Sequence, residues 1–119
     1  YGALQTQESD SANQGVYNTA LGSYAGNGLT TGIKNTFIGG FAGSNAAVTG
    51  DENVAIGQSS GYSLTSAGAN VLIGSASGDA LTTASGSVAL GQNALSGATT
   101  GNHKYLGGVG MPSYIVPIL

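Results

Sequence analysis

The chain has 119 residues, a net charge of −3, only 2 cationic side chains and no Cys or Trp, and charged residues make up 6% of it. Two cations leave no footprint for phosphate backbones or anionic lipid, which argues against nucleic acid and membrane surfaces as partners. With 40% apolar residues and a mean hydropathy just above zero, the chain lacks the signature of disorder, its length allows one domain, and no apolar run approaches a membrane span.

Gly at 22 positions against 2 Pro asks for a periodic explanation. The opening Tyr1-Gly2-Ala3-Leu4 has neither Met nor a basic flank and reads as the start of a fragment or processed product, with Ala3-Leu4 as a degenerate first rung. Asn18-Thr19-Ala20-Leu21-Gly22 is the first full copy of a unit. It recurs as Asn35-Thr36-Phe37-Ile38-Gly39, Asn53-Val54-Ala55-Ile56-Gly57, Asn70-Val71-Leu72-Ile73-Gly74 and Ser87-Val88-Ala89-Leu90-Gly91. The glycines at 22, 39, 57, 74 and 91 are 17, 18, 17 and 17 residues apart. Stepping back 17 from Leu21 reaches Leu4, and stepping forward 16 from Leu90 reaches Leu106. The spacing therefore predicts seven rungs in a repeat domain over residues 1–107. Three residues after each Gly come Ala25, Ala42, Ser60, Ser77 and Ala94; four after come Gly26, Gly43, Gly61, Gly78 and Leu95. A Thr/Ser/Gly turn closes each copy. Residues 108–119 leave the pattern as an apolar extended tail with Pro112 and Pro117, expected to be a cap, a connector or a strand donated to a neighbouring subunit.

Thr or Val followed two residues on by Ile or Leu reads as a short strand, and no segment is long enough for a helix. About 17 extended residues at ~3.3 Å each make ~56 Å of chain, enough for one flattened coil. The expected fold is all-β, a parallel β-roll or β-solenoid of about seven coils with repeats of 16–18 residues. Equivalent residues then form columns. Thr19, Thr36, Val54, Val71 and Val88, with Leu21, Ile38, Ile56, Ile73 and Leu90, are expected to line the coil core. Ala20, Phe37, Ala55, Leu72 and Ala89 point the other way. A strand apolar on both faces is buried on both, so this second column is expected to be an intersubunit face in an obligate homo-oligomer. Asn18, Asn35, Asn53 and Asn70 form a column whose amides bond from rung to rung.

This motif, N-[TV]-x-[IL]-G followed by [AS]-G, resembles the repeats of trimeric autotransporter adhesin heads. In its Asn-Thr opening and its 17 to 18 residue period it is more similar to the NTAIG-type repeats of bacteriophage tail fibres, over residues 3–107. The resemblance implies a left-handed roll in an intertwined or side-by-side homotrimer. It also implies an extracellular place on a virion or cell surface, and host attachment through a cell-surface glycan or protein receptor. The alternative is a self-assembling surface filament subunit, or an adhesin head without a ligand site of its own.

The chemistry of a catalyst is sparse. The carboxylates are Glu8, Asp10, Asp51, Glu52 and Asp79; Asp51 and Glu52 adjoin at a turn, where solvated residues are the simpler reading than a hydrolytic pair. His103 is the sole imidazole, and with no Cys neither a triad nor a zinc site can be assembled. No catalytic residue, metal or cofactor is expected, and the chain is not expected to be an enzyme. Tyr17 and Tyr62 fall in otherwise polar columns, Tyr24 shares a column with Phe41, Ser59, Ala76 and Asn93, and Tyr17, Tyr24 and Tyr62 are candidate glycan contacts, since a Tyr ring is apolar with a polar tip. Packing against a neighbouring coil is the competing role. The flat Thr array of an ice-binding solenoid is not expected, because the strand column changes from Thr to Val after Thr36.

Overall fold

Each copy of the Asn-x-x-x-Gly unit builds one strand, bounded by the Asn and by a glycine in a conformation that L side chains rarely adopt. In the computed structural model, which describes residues 1–4, 16–45, 47–97, 99–102 and 105–107, the strands are β1 (Thr19–Leu21), β2 (Thr36–Ile38), β3 (Val54–Ile56), β4 (Val71–Ile73), β5 (Val88–Leu90) and β6 (Tyr105–Gly107). They form one parallel sheet in sequence order, each strand paired with the copy before and after it. The register is that of the repeat: Thr19 opposes Thr36, Phe37 opposes Ala55, and Ile56 opposes Ile73. The chain is thus an all-β solenoid, one rung per repeat. The tail expected at 108–119, together with Glu8, Asp10 and His103, lies outside the described residues.

Among the described residues there are six strands where the spacing predicts seven rungs, because Ala3-Leu4 is not a strand. The Leu4 N–H donates to Ala25 O (3.1 Å), as the Gly26 N–H does to Ala42 O (2.8 Å) one coil later. Leu4 also shares the left-handed backbone of Gly26, with φ of 53° against 63°. Leu4 is therefore equivalent to Gly26, not to Leu21. The connection from Leu4 to Gly26 takes 22 residues where later coils take 17 or 18, so counting back by the regular period lands on the wrong column.

The two faces of the strands are exchanged relative to the sequence expectation. Phe37, Ala55, Leu72 and Ala89 are fully buried in the chain's own core, with Ala20 packed against it, so this column is not an intersubunit face. Thr19, Thr36, Val54, Val71 and Val88 and the column from Leu21 to Leu90 point outward, half-buried or exposed, so they do not line the core. Large and small residues alternate up the inner column, where a large side chain borrows room from the Ala above and below it. The turns supply the remaining room. A Cβ on Gly43 would lie 2.7 Å from the Phe37 ring, and one on Gly78 would lie 2.8 Å from Leu72 Cδ2. Leu29, Leu64 and Leu81 complete the core from the opposite side, with Ala67 and Ala84.

The Asn column lies on the same parity as the inner column, and it closes the core with hydrogen bonds. Each Oδ1 accepts the backbone N–H of the next copy: Asn18 from Asn35 (2.7 Å), Asn35 from Asn53 (2.9 Å), Asn53 from Asn70 (3.3 Å) and Asn70 from Ser87 (2.8 Å). Each Nδ2 donates to a turn carbonyl, as Asn53 does to Ala67 O at 2.8 Å, and Asn70 Nδ2 also donates to Asn53 Oδ1 at 2.9 Å. Buried amides are tolerated here because their donors and acceptors have partners.

Candidate functional site

Two surfaces run the length of the stack. The first is the outer face of the sheet. From β1 to β5 its two columns hold Thr, Val, Leu and Ile only, and Leu21, Ile73 and Leu90 are 67%, 38% and 43% exposed. Parallel, in-register pairing repeats this pair of side chains on each rung from β1 to β5, so the exposed apolar atoms form a continuous strip.

The second surface is the turn that precedes each Asn. Here Thr31, Thr49, Ser66, Thr83 and Thr100 occupy equivalent places, and all are exposed. They form a straight row of hydroxyls, one per coil. The column on its inner side does structural work: Thr65 Oγ1 donates to Thr82 O (2.9 Å) and Thr82 Oγ1 to Thr99 O (3.0 Å). Sequence reasoning passed over the outer row as ordinary turn composition. The signal was its recurrence at the same period as the strands, one place before the turn residues 32, 50, 67 and 84 whose carbonyls the Asn ladder engages.

Beside that row a second ladder ties coil to coil, with side chains accepting backbone N–H groups from the coil before. Asp51 Oδ1 accepts from Ile33 (2.9 Å), Ser85 Oγ from Gly68 (3.1 Å) and Asn102 Oδ1 from Ser85 (3.0 Å). Among the described residues of this column, Ile33 and Gly68 have no acceptor side chain to offer the coil before. Gly68 has no side chain to offer the Asp51 N–H. A groove of about 530 Å³ opens at this place and spans three successive coils. Gly68 leaves it open, Thr49, Ser66 and Ser85 bring hydroxyls to it, and Asp51 and Glu52 bring carboxylates. Lys34 Nζ lies 3.3 Å from Glu52 Oε1, both side chains being more than half exposed. Such an exposed pair holds Glu52 in place weakly.

The candidate glycan contacts are not brought together. Tyr24 is stacked on Phe41 of the next coil, with centroids 5.3 Å apart at 13°, and meets Tyr1 edge-on at 5.6 Å. Its ring therefore takes part in packing along the stack. Tyr17 is 76% exposed and stands in the column of Lys34 and Glu52, while Tyr62 is half-buried two coils further on in the column of Asn27 and Asp79. Asp79 Oδ1 is out of contact with water and has no hydrogen-bond partner. Burial pushes its carboxyl above the usual value, and backbone N–H groups of Ala80 and of Asp79 itself pull partly against that shift. Among the described residues no three His, Cys, Asp or Glu side chains are placed to hold a metal ion.

Comparison with protein-family models, with curated proteins and with solved structures finds no match to this chain.

Proposed function

We propose that the chain is a structural segment of a trimeric fibre, tail-fibre-like and carried on a virion or cell surface, which mediates attachment to a cell-surface glycan. The observation that carries this reading is the strip formed by Leu21, Ile38, Ile56, Ile73 and Leu90 with the Thr/Val column beside it, an outward sheet face without a single charge. Monomeric proteins seldom leave a long, continuous apolar strip in water, and a parallel in-register sheet presents copies of the chain with a self-complementary surface. Subunits meeting across this strip bury it while leaving the hydroxyl row of the turns outward. The repeat motif supports three as their number, by its likeness to trimeric fibre repeats. Work is done by assembly and attachment, not by catalysis.

Sedimentation equilibrium tests the assembly. Three chains of 11.5 kDa give 3 × 11.5 = 34.5 kDa for the wild type. Ile73→Asp with Leu90→Asp places two charges per subunit on the strip without touching the core, and the variant is expected to remain folded and to sediment as a monomer. A wild-type monomer at micromolar concentration would remove the reading.

A further inference from the structure

We infer that the groove beside Gly68 binds an extended, neutral, linear polysaccharide lying parallel to the solenoid axis, with one sugar ring held by each coil. This deepens the attachment reading above and rests on it.

The groove lies at a break in the ladder, where Gly68 falls between the rungs made by Asp51 and by Ser85. In the neighbouring coils a side chain from the next copy covers the backbone N–H, as Ser85 covers Gly68 and Asn102 covers Ser85. At Gly68 that cover is missing, so the Asp51 N–H faces the groove as a donor. Thr49 and Ser66 stand exposed on successive coils of the hydroxyl row, and Ser85 Oγ, which accepts from Gly68, still has its proton to donate. Asp51 accepts from Ile33 through Oδ1 alone, which leaves Oδ2 as an acceptor. One backbone donor, three hydroxyls and carboxylate oxygens therefore converge over three coils. Hydroxyls that both donate and accept, flanked by carboxylates that only accept, match the alternating hydroxyls of a sugar.

Spacing and charge narrow the ligand. Coils repeat at ~4.8 Å, the separation of paired strands, which is close to the length of one pyranose unit in an extended chain. A glycan running along the axis meets equivalent groups at each step, whereas one crossing the coils meets the set only once. Asp51 and Glu52 repel uronates and sulfated sugars, and Lys34, paired with Glu52, offsets only one of the two charges. Contacts of this kind are weak singly. Their sum over coils, and over the subunits of a fibre, supplies the affinity.

The test is binding of wild-type protein to dimers, tetramers and hexamers of β-1,4-linked glucose, N-acetylglucosamine and mannose, with the galacturonate hexamer as the acidic comparison. At least one neutral series is expected to bind, the tetramer at least about tenfold more tightly than the dimer, and the galacturonate not at all. Gly68→Ser restores the missing rung. Its Cβ would lie 3.1 Å from Asp51 O, a close but relievable approach, and its hydroxyl would accept the Asp51 N–H. This variant is expected to keep the melting temperature and oligomer mass of the wild type while losing at least about tenfold in affinity. Thr49→Ala with Ser66→Ala, two exposed hydroxyls outside both ladders, is expected to lose binding as well, and tests the groove even if the serine disturbs the turn. Wild-type affinity in both variants, preference for the galacturonate, or no neutral oligomer bound at millimolar concentration would each overturn the proposal. Surface attachment that survives Gly68→Ser would remove the groove alone and leave the fibre reading intact; a monomeric wild type would remove the fibre reading first.

Discussion

Gly57 and Gly40 look alike in the sequence and do different things. Gly57 has φ of +130°, and a Cβ there would lie 2.5 Å from Gly74 O of the next coil, so both its own backbone and the stacked backbone exclude a side chain. Gly57→Ala is expected to cost about 3 kcal/mol or more, since strain at a forbidden φ and backbone overlap act together. Gly40 has no positive φ, and its nearest neighbour would be Ser23 O at 3.9 Å. There Ala restricts the unfolded chain without straining the folded one and is expected to add ~0.5 kcal/mol. Urea unfolding of the two variants checks the contrast. Asp79 adds a pH dependence at the same scale. Its folded-state pKa is raised above the ordinary 3.8 by burial, so the ionised form is penalised in the folded state. Stability is therefore lost as pH rises from 3.8 through the folded value, and is recovered on acidification. Asp79→Asn removes the charge and is expected to melt higher than the wild type at neutral pH, the gap closing near pH ~3. A lower melting temperature for the variant at neutral pH would contradict this account.

At the level of the strand, the sequence legibly placed every element from Thr19 to Leu90, because a fixed Asn and a fixed Gly bracket each copy and the period fixes the register. Which face of a strand turns inward was harder to read. Three residues that are all apolar have no polar partner to break the symmetry, and Ala in the middle suits a close subunit contact as well as a tight core. The deciding signal lay one residue outside the strand. Asn18 and Ala20 share parity, as do Asn53 and Ala55, and an amide ladder needs a dry place with partners at fixed distances. Once the Asn column is inside, the middle column is inside with it. The alternation of Phe37 and Leu72 with Ala says the same, since side chains ~4.8 Å apart in a confined column must take turns in size. The groove was not legible for a different reason: it is made by what Gly68 lacks, and only the neighbouring rungs show what is missing. The face assignment also changes what a mutation at Phe37 tests. Phe37→Ala opens a cavity in the core and is expected to destabilise the fold by about 3–5 kcal/mol in thermal or chemical unfolding. The same substitution on an intersubunit face would instead have left a folded monomer.

Across the described residues of the whole molecule each strand touches only the strands before and after it, so stability is approximated by a sum over coils and over the junctions between them. Such a chain can be shortened in register. Excising residues 58–74 joins Gly57 to Ser75 and keeps every strand in line, yet it stacks Ala55 directly on Ala89 and removes Leu72 from between them. Excising residues 40–74 removes two coils and is gentler. Gly39 then joins Ser75, Phe37 rises against Ala89, and Gly78 takes the place of Gly43 beneath the ring, so large and small still alternate. The Asn column also survives this cut, with Ser87 following Asn35 as it follows Asn70 in the intact chain. Compared per remaining coil, the shorter protein is therefore expected to be the more stable of the two, since the single-coil excision loses about 3 kcal/mol at its new junction, the loss associated with an unfilled leucine-sized space. Circular dichroism melts of both excision variants decide the point. If the single-coil excision proves the more stable per remaining coil, size alternation in the inner column is not what holds adjacent coils together, and stacking hydrogen bonds alone set the junction strength.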